Sequence, residues 1–318
     1  MILIRTIFII LIFTASFVGP YKAFVNSKIS KSFIDIISGD SMYHVISKLT
    51  SDNLLNKIFF RIYANINEIN AFQVGEYNIS GMSIANAINS FNKGDTYTRF
   101  ITITEGMNIY DLNETIEKSY LVNDCKSLGC LMIDYPFDEG VLYPDTYFYK
   151  KGMKASEILK ISHQSLDLKL TKLWSKKPEL NMLRNKYEAL ILASIIEKEA
   201  GNHLEKKDIA SVFLKRISLG MKLQADPTII YGLLPDFDGD IKKSDILDKN
   251  NSYNTYMIKG LPPTPISIVS ESSLEAAITS VPGDYLFFVA DSPNSHYFSK
   301  TYEEHKQMIR KIGLNKWR

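Results

Sequence analysis

Apolar and polar positions along this chain follow two periods, and they separate a long apolar start, a body of short mixed elements, and one helix that is apolar on nearly every side. Met1 to Tyr21 carries a single charge, Arg5, near its beginning. A stretch of that length, with one charged side chain placed to snorkel, predicts one membrane-spanning helix. A cleaved signal peptide is the rival, but Phe17, Pro20 and Tyr21 interrupt any small-x-small cleavage site. An uncleaved anchor is therefore the expectation, and no later stretch reaches spanning length.

Short elements follow. Phe33 to Ile37 alternates as a strand, and Met42 to Leu49 has apolar residues at helical spacing behind Ser41, a capping residue. Gly75 to Gly81 reads as a glycine-bounded strand and Ser83 to Phe91 as a capped helix. Gly81-Met82-Ser83-Ile84-Ala85 lacks the second glycine of a nucleophile elbow, so Ser83 is expected to cap and not to attack. Thr98 to Thr104 predicts a strand and Tyr110 to Lys118 an amphipathic helix. Glu139 to Tyr147, rich in turn formers and aromatics, predicts a loop that is either an ordinary surface connection or the wall of a site. Ala155 to Tyr187 is mostly helical with a break at Pro178. Glu205 to Leu219 is an amphipathic helix stopped by Gly220. The proline pair Pro262-Pro263 forces an extended turn. Tyr285 to Ala290 predicts a buried strand, and Thr301 to Ile312 a terminal helix.

The helix that stands apart is Leu190 to Gly201, which runs apolar until it reaches Glu197. In a helix, Ala193 and Ser194 lie behind Glu197, and Ala200 and Gly201 ahead of it. All four are small, which predicts room for a bulky ligand over Glu197. Glu199 has Ile195 and Ile196 behind it, and two residues is about 200° of helical rotation. The two glutamates therefore point to different sides. The apolar surroundings predict that the Glu197 carboxyl is raised and stays protonated long enough to act as a general acid.

Composition narrows the chemistry. Among 318 residues, 37 basic and 35 acidic side chains leave a net charge of +2, which gives no electrostatic footprint for nucleic acid. Cys125 and Cys130 are too few for a disulfide framework or a structural zinc site, although in an oxidising compartment they can close a small loop. The chain has no phosphate-binding glycine loop, no His-Glu-x-x-His and no EF-hand loop, so neither metal nor cofactor is expected. The five histidines are scattered; His296 and His305 are candidates for a site, but lone loop histidines are more often surface or hydrogen-bonded groups. Carboxylate chemistry is what remains.

Four segments carry a resemblance: Ala193-Ser194-Ile195-Ile196-Glu197-Lys198-Glu199, Leu223-Gln224-Ala225-Asp226-Pro227-Thr228 through Gly232, Tyr253-Asn254-Thr255-Tyr256, and Gly260-Leu261-Pro262-Pro263. In this order and spacing the chain resembles the YceG-like family of endolytic murein transglycosylases. Glu105-Gly106, Glu139 to Tyr147 and His296 to His305 extend the likeness over nearly everything after the anchor. The resemblance implies an α+β protein with a transmembrane helix at 1–24, a small LysM-like subdomain at 25–98 and a mixed α+β catalytic domain at 99–318. It implies an inner-membrane, single-pass protein whose catalytic domain lies in the periplasm, with peptidoglycan glycan strands as substrate and peptidoglycan synthases as partners. It also implies endolytic cleavage that controls glycan chain length, with Glu197 as catalytic residue. Gln224, Asp226, Tyr253, Asn254 and Tyr256 are expected to line the sugar groove, with Tyr143, Asp145 and Ser194 beside them. The chain departs from the family at Thr264 and Ile268-Val269-Ser270, where a Pro-Pro-Gly-Pro-Ile and Asn-Pro-Gly pattern is usual, and at Lys306, where an asparagine is usual.

Most glycosidases use two carboxylates. A lytic transglycosylase needs one, because the C6 hydroxyl of the N-acetylmuramic acid itself attacks the anomeric carbon and closes a 1,6-anhydro ring. A water-using muramidase with Asp226 or Asp145 as second carboxylate, and a membrane-tethered glycan-binding scaffold, are the two alternatives.

Overall fold

The computed structural model describes residues 14–131, 135–136, 138–292 and 295–313. Most of the expected anchor lies outside these residues. Among the described residues no helix is long and apolar enough to cross a membrane. The chain divides into two compact units, Met1–Arg99 with Phe148–Gly152, and Phe100–Tyr147 with Met153–Arg318.

In the first unit, α1 (Gly19–Asn26) precedes β1 (Phe33–Ile36), α2 (Met42–Leu49), α3 (Leu54–Ile66), β2 (Gly75–Asn78) and α4 (Ile84–Lys93). The alternation in β1 buries Ile34 and Ile36, and β2 pairs with it antiparallel, Ile34 opposite Tyr77. The helices start where side chains can accept the free N–H groups of a first turn. Ser41 accepts from His44 N at 3.1 Å, Asn53 from Asn56 N at 2.8 Å, and Ser83 from Asn86 N at 3.2 Å. The capping role expected of Ser83 is the one it has. Phe59, Phe60, Tyr77 and Phe91 fill the core. Glu76 is buried beside them, and its charge is met by a two-pronged bond from Arg99 at 2.7 and 2.8 Å.

Next in order come β3 (Arg99–Ile103), α5 (Ile109–Glu117) and β4 (Asp145–Tyr149), then α6 (Ala155–Trp174), α7 (Lys186–Glu199), α8 (Lys206–Ser218) and α9 (Asp226–Leu233). The short α10 (Lys243–Leu247), α11 (Glu271–Thr279), β5 (Phe287–Ser292), β6 (Ser295–Ser299) and α12 (Tyr302–Lys311) complete it. The loop expected at Asp145 to Tyr147 is a strand, because β4 pairs with β3 and buries Tyr147 and Tyr149. Cys125 and Cys130 are joined as a disulfide.

The core of the second unit is built on α7. Every residue from Ala189 to Ile196 is buried, with α6, α8 and α11 packed around. Leucines and isoleucines so enclosed contribute about 1.5–3 kcal/mol each. Asn185 caps the helix by accepting from Glu188 N at 2.9 Å. The strand expected to be buried, β5, is half of an antiparallel hairpin with β6, and its residues are half-buried or exposed. The reason is that, among the described residues, the sheet has two strands. Phe288 packs edge-on against Phe213 of α8, and Phe287 stacks on His305 of α12.

Candidate active site

At the end of α7 the helical rotation separates the two glutamates, as the spacing predicts. What each meets differs from expectation. Glu197 turns toward the start of α11, where Ser270 N donates to Oε2 at 2.8 Å and Ser270 Oγ to the same oxygen at 2.5 Å. Lys206 Nζ reaches Oε1 at 3.0 Å, and both side chains are under a tenth exposed. Lys206 also donates to Ser270 Oγ and Ser272 Oγ. A carboxylate at a helix N-terminus completes the free N–H groups and opposes the helix dipole. Burial pushes the Glu197 carboxyl up, but the Ser270 hydrogen bonds and Lys206 more than offset it and hold the group below the usual carboxylate range. The expectation of a raised, protonated Glu197 is therefore corrected. Ser270, one of the positions where the sequence departs from the pattern it resembles, holds it together with Lys206.

Glu199 lies on the other side and lines a cavity of about 340 Å³ with Arg216, Gln224, Asp226, Tyr256 and His296. Burial pushes its carboxyl up to about 8, Asp226 adding to the rise and Arg216 opposing it. A carboxyl so placed is protonated at neutral pH and is suited to give a proton away. The cavity floor is fixed by Arg216, whose guanidinium donates to Leu286 O at 2.8 Å and Leu223 O at 2.6 Å. Gln224 has a φ of +53°, a left-handed conformation uncommon outside glycine and one that recurs at functional sites. Asp226 begins α9 and accepts from Tyr256 Oη at 2.6 Å.

Of the residues expected in the groove, the structure brings Gln224, Asp226 and Tyr256 together and gives the others different work. Ser194 is fully buried, where its Oγ accepts from Ile266 N at 2.9 Å and donates to Ile191 O. Asn254 is fully buried and its amide donates to the carbonyls of Asp245, Ile246 and Asp248, which shapes the loop after α10. Tyr253 shares a hydroxyl bond with Thr264 at 2.9 Å and packs on Tyr231. Tyr143 donates to Glu271 at 3.2 Å, and Asp145 accepts from its neighbour Thr146 N. None of these, nor Glu197, is among the cavity's lining residues. The small residues behind Glu197 leave no space either, since Ala193 is fully buried in the core.

Reading the sequence weighed Glu199 and His296 without giving either a place in the site, and did not single out Arg216.

The chain as a whole has counterparts among known proteins. The model of the YceG-like family matches residues 34–311, and the chain belongs to that family. It is 30% identical over 313 residues to the endolytic murein transglycosylase of Bacillus subtilis (strain 168), with 89% of this chain and 85% of that protein covered. With the endolytic murein transglycosylase of Streptococcus pneumoniae serotype 2 (strain D39 / NCTC 7466) the identity is 24%, over 87% of this chain and 57% of that protein. The 2.6 Å crystal structure of a YceG-like protein from Listeria monocytogenes is similar with a TM-score of 0.58 and 28% identity, covering 87% of this chain and 98% of that one.

Proposed function

We propose that this protein is a peptidoglycan lytic transglycosylase that cleaves within glycan strands, and that Glu199 is its single acid and base. The observation that carries the assignment is the Glu199 carboxyl, pushed up to about 8 in a cavity shared with Gln224, Asp226 and Tyr256. Relatives named as endolytic murein transglycosylases support the substrate class. In this reading Glu199 gives its proton to the glycosidic oxygen after N-acetylmuramic acid as the bond to the anomeric carbon breaks. The sugar's C6 hydroxyl oxygen bonds to that carbon, and its proton passes to the Glu199 carboxylate, which restores the acid. The negative charge of Asp226 favours the positive charge that develops at the anomeric carbon. The role expected of Glu197 passes to Glu199 because Glu197 is already held by a lysine and a helix N-terminus.

A water-using muramidase is the second reading, favoured by the presence of Asp226 as a second carboxylate in the same cavity. Digestion of purified peptidoglycan separates the two: 1,6-anhydro ends are expected, and reducing ends in their place point to hydrolysis. Glu199→Gln is expected to lower the rate by roughly 10²–10⁴-fold, the usual share of a general acid. Undiminished formation of anhydro ends by that variant rules Glu199 out.

The remaining assignments rest on slighter support. The β1-α2-α3-β2 order with its antiparallel pair supports a LysM-like, glycan-binding first unit. The apolar Met1 to Tyr21 supports an anchor, and the Cys125–Cys130 disulfide suits an oxidising compartment on the outer face of the cytoplasmic membrane. There the protein would act on nascent strands beside peptidoglycan synthases and set glycan chain length.

A further inference from the structure

His296 is held in the cavity by a device that the acid–base chemistry above leaves unused. Glu205, at the start of α8, accepts twice from this one residue: from the backbone N at 2.8 Å and from ring Nδ1 at 2.9 Å. Both side chains are largely buried, at 10% and 15% exposure. The ring also meets Phe288 edge-on, with centroids 5.4 Å apart. Position, rotation and tautomer are therefore fixed together. A carboxylate can only accept, so Nδ1 carries the hydrogen, and in the neutral ring Nε2 is left with a lone pair. Among the described residues Nε2 has no protein partner, and His296 lines the same cavity as Glu199.

The single-carboxylate mechanism leaves a vacancy of that kind. Until Glu199 has given up its proton it cannot accept one, yet the attacking hydroxyl has to be oriented before the bond breaks. Asp226 Oδ1 already takes the Tyr256 hydroxyl and Gln224 Oε1 faces Arg216 at 3.5 Å, whereas the imidazole is held in one orientation by Glu205. We propose that His296 Nε2 accepts a hydrogen bond from the ring-closing sugar hydroxyl and aims its oxygen at the anomeric carbon, with Glu205 as the positioning residue that holds the imidazole. His296 keeps no proton in this scheme, since the hydroxyl proton still ends on Glu199. The proposal rests on the reading of this cavity as the transglycosylase site.

The test compares the full-length wild-type protein with His296→Ala, His296→Gln, Glu205→Ala and Glu199→Gln on purified peptidoglycan. Turnover, KM, the ratio of anhydro to reducing ends, and the thermal midpoint are the readouts. His296→Ala is expected to lower kcat by roughly 100-fold with little change in KM. Water should then compete for the anomeric carbon and raise the share of reducing ends. His296→Gln, which offers an amide oxygen near the place of Nε2, should recover part of both losses, and Glu205→Ala should show the same change of product ends in milder form. A His296→Ala protein that is folded and keeps the wild-type rate and ends, while Glu199→Gln is inactive, overturns the proposal and leaves the cavity reading standing. A rate loss with unchanged product ends and a lowered thermal midpoint in both His296 variants also overturns it, since that is what a purely structural residue gives. An active Glu199→Gln protein removes the cavity reading itself.

Discussion

Glu197 and Glu199 have the same side chain and opposite environments: burial raises both, and only Glu197 has partners that more than offset it. Lys206 and the N-terminus of α11 favour the ionised form of Glu197, whereas burial and Asp226 disfavour it at Glu199. Removing one partner of an enclosed ion pair leaves the other charge uncompensated. Glu197→Gln is therefore expected to lower unfolding free energy by about 3–5 kcal/mol in urea titrations, while Glu199→Gln leaves the fold at least as stable as wild type. Because the Glu197 carboxyl is depressed, the stability it confers is present above the usual carboxylate range and is lost as acid titrates it. Glu199 is raised, so it is the protonated, acid-competent form that ionises with rising pH. The rate constant kcat/KM on glycan strands is expected to fall as pH rises through about 8; a flat profile to pH 9.5 counts against Glu199 as the acid. Sequence spacing revealed that the two carboxylates diverge. It did not reveal which way each faces, because that depends on Lys206 and Ser270, nine and seventy-three residues away.

At the scale of elements, period and caps carry much of the pattern. β1, β2, α2, α4, α8 and α12 fall close to where alternation and capping residues place them. β4 and β5 were misread for a shared reason: whether a short aromatic segment is a loop, an edge or a buried strand depends on its partner, which period alone does not identify. The apolar run of α7 reads correctly as a helix, but its small residues were read as space for a ligand. They are the price of close packing among α6, α8 and α11. Ala193→Leu adds volume where none is free, so a stability loss of about 1–3 kcal/mol is expected in denaturant unfolding. Ser194 shows the same inversion. Its hydroxyl joins α7 to the proline-rich segment at Ile266 and takes no part in the cavity.

At the scale of the molecule, each of the two units has its own core, the first around Phe60, Tyr77 and Phe91, and the second around α7. The Cys125–Cys130 bridge closes a loop with a sequence separation of 5. A loop so short restricts the unfolded chain little, and replacing both cysteines by serine is expected to cost about 2 kcal/mol by the chain-entropy relation, measured as a shift of the urea midpoint. The cavity draws on the end of α7, the segment from Leu223 to Asp226, the β5–β6 hairpin and α12. Glu199 and His296 are 97 residues apart in sequence (296 − 199). Contacts between such distant segments form late, because chain closure has to be achieved before they contribute. The helical core around α7 is thus available to fold ahead of the cavity, and a chain still being made carries Glu199 without the cavity around it. On the proposed assignment of Glu199, competence to cut a glycan strand arrives only when the hairpin and α12 have been synthesised and docked, which ties the onset of activity to one of the final steps of folding.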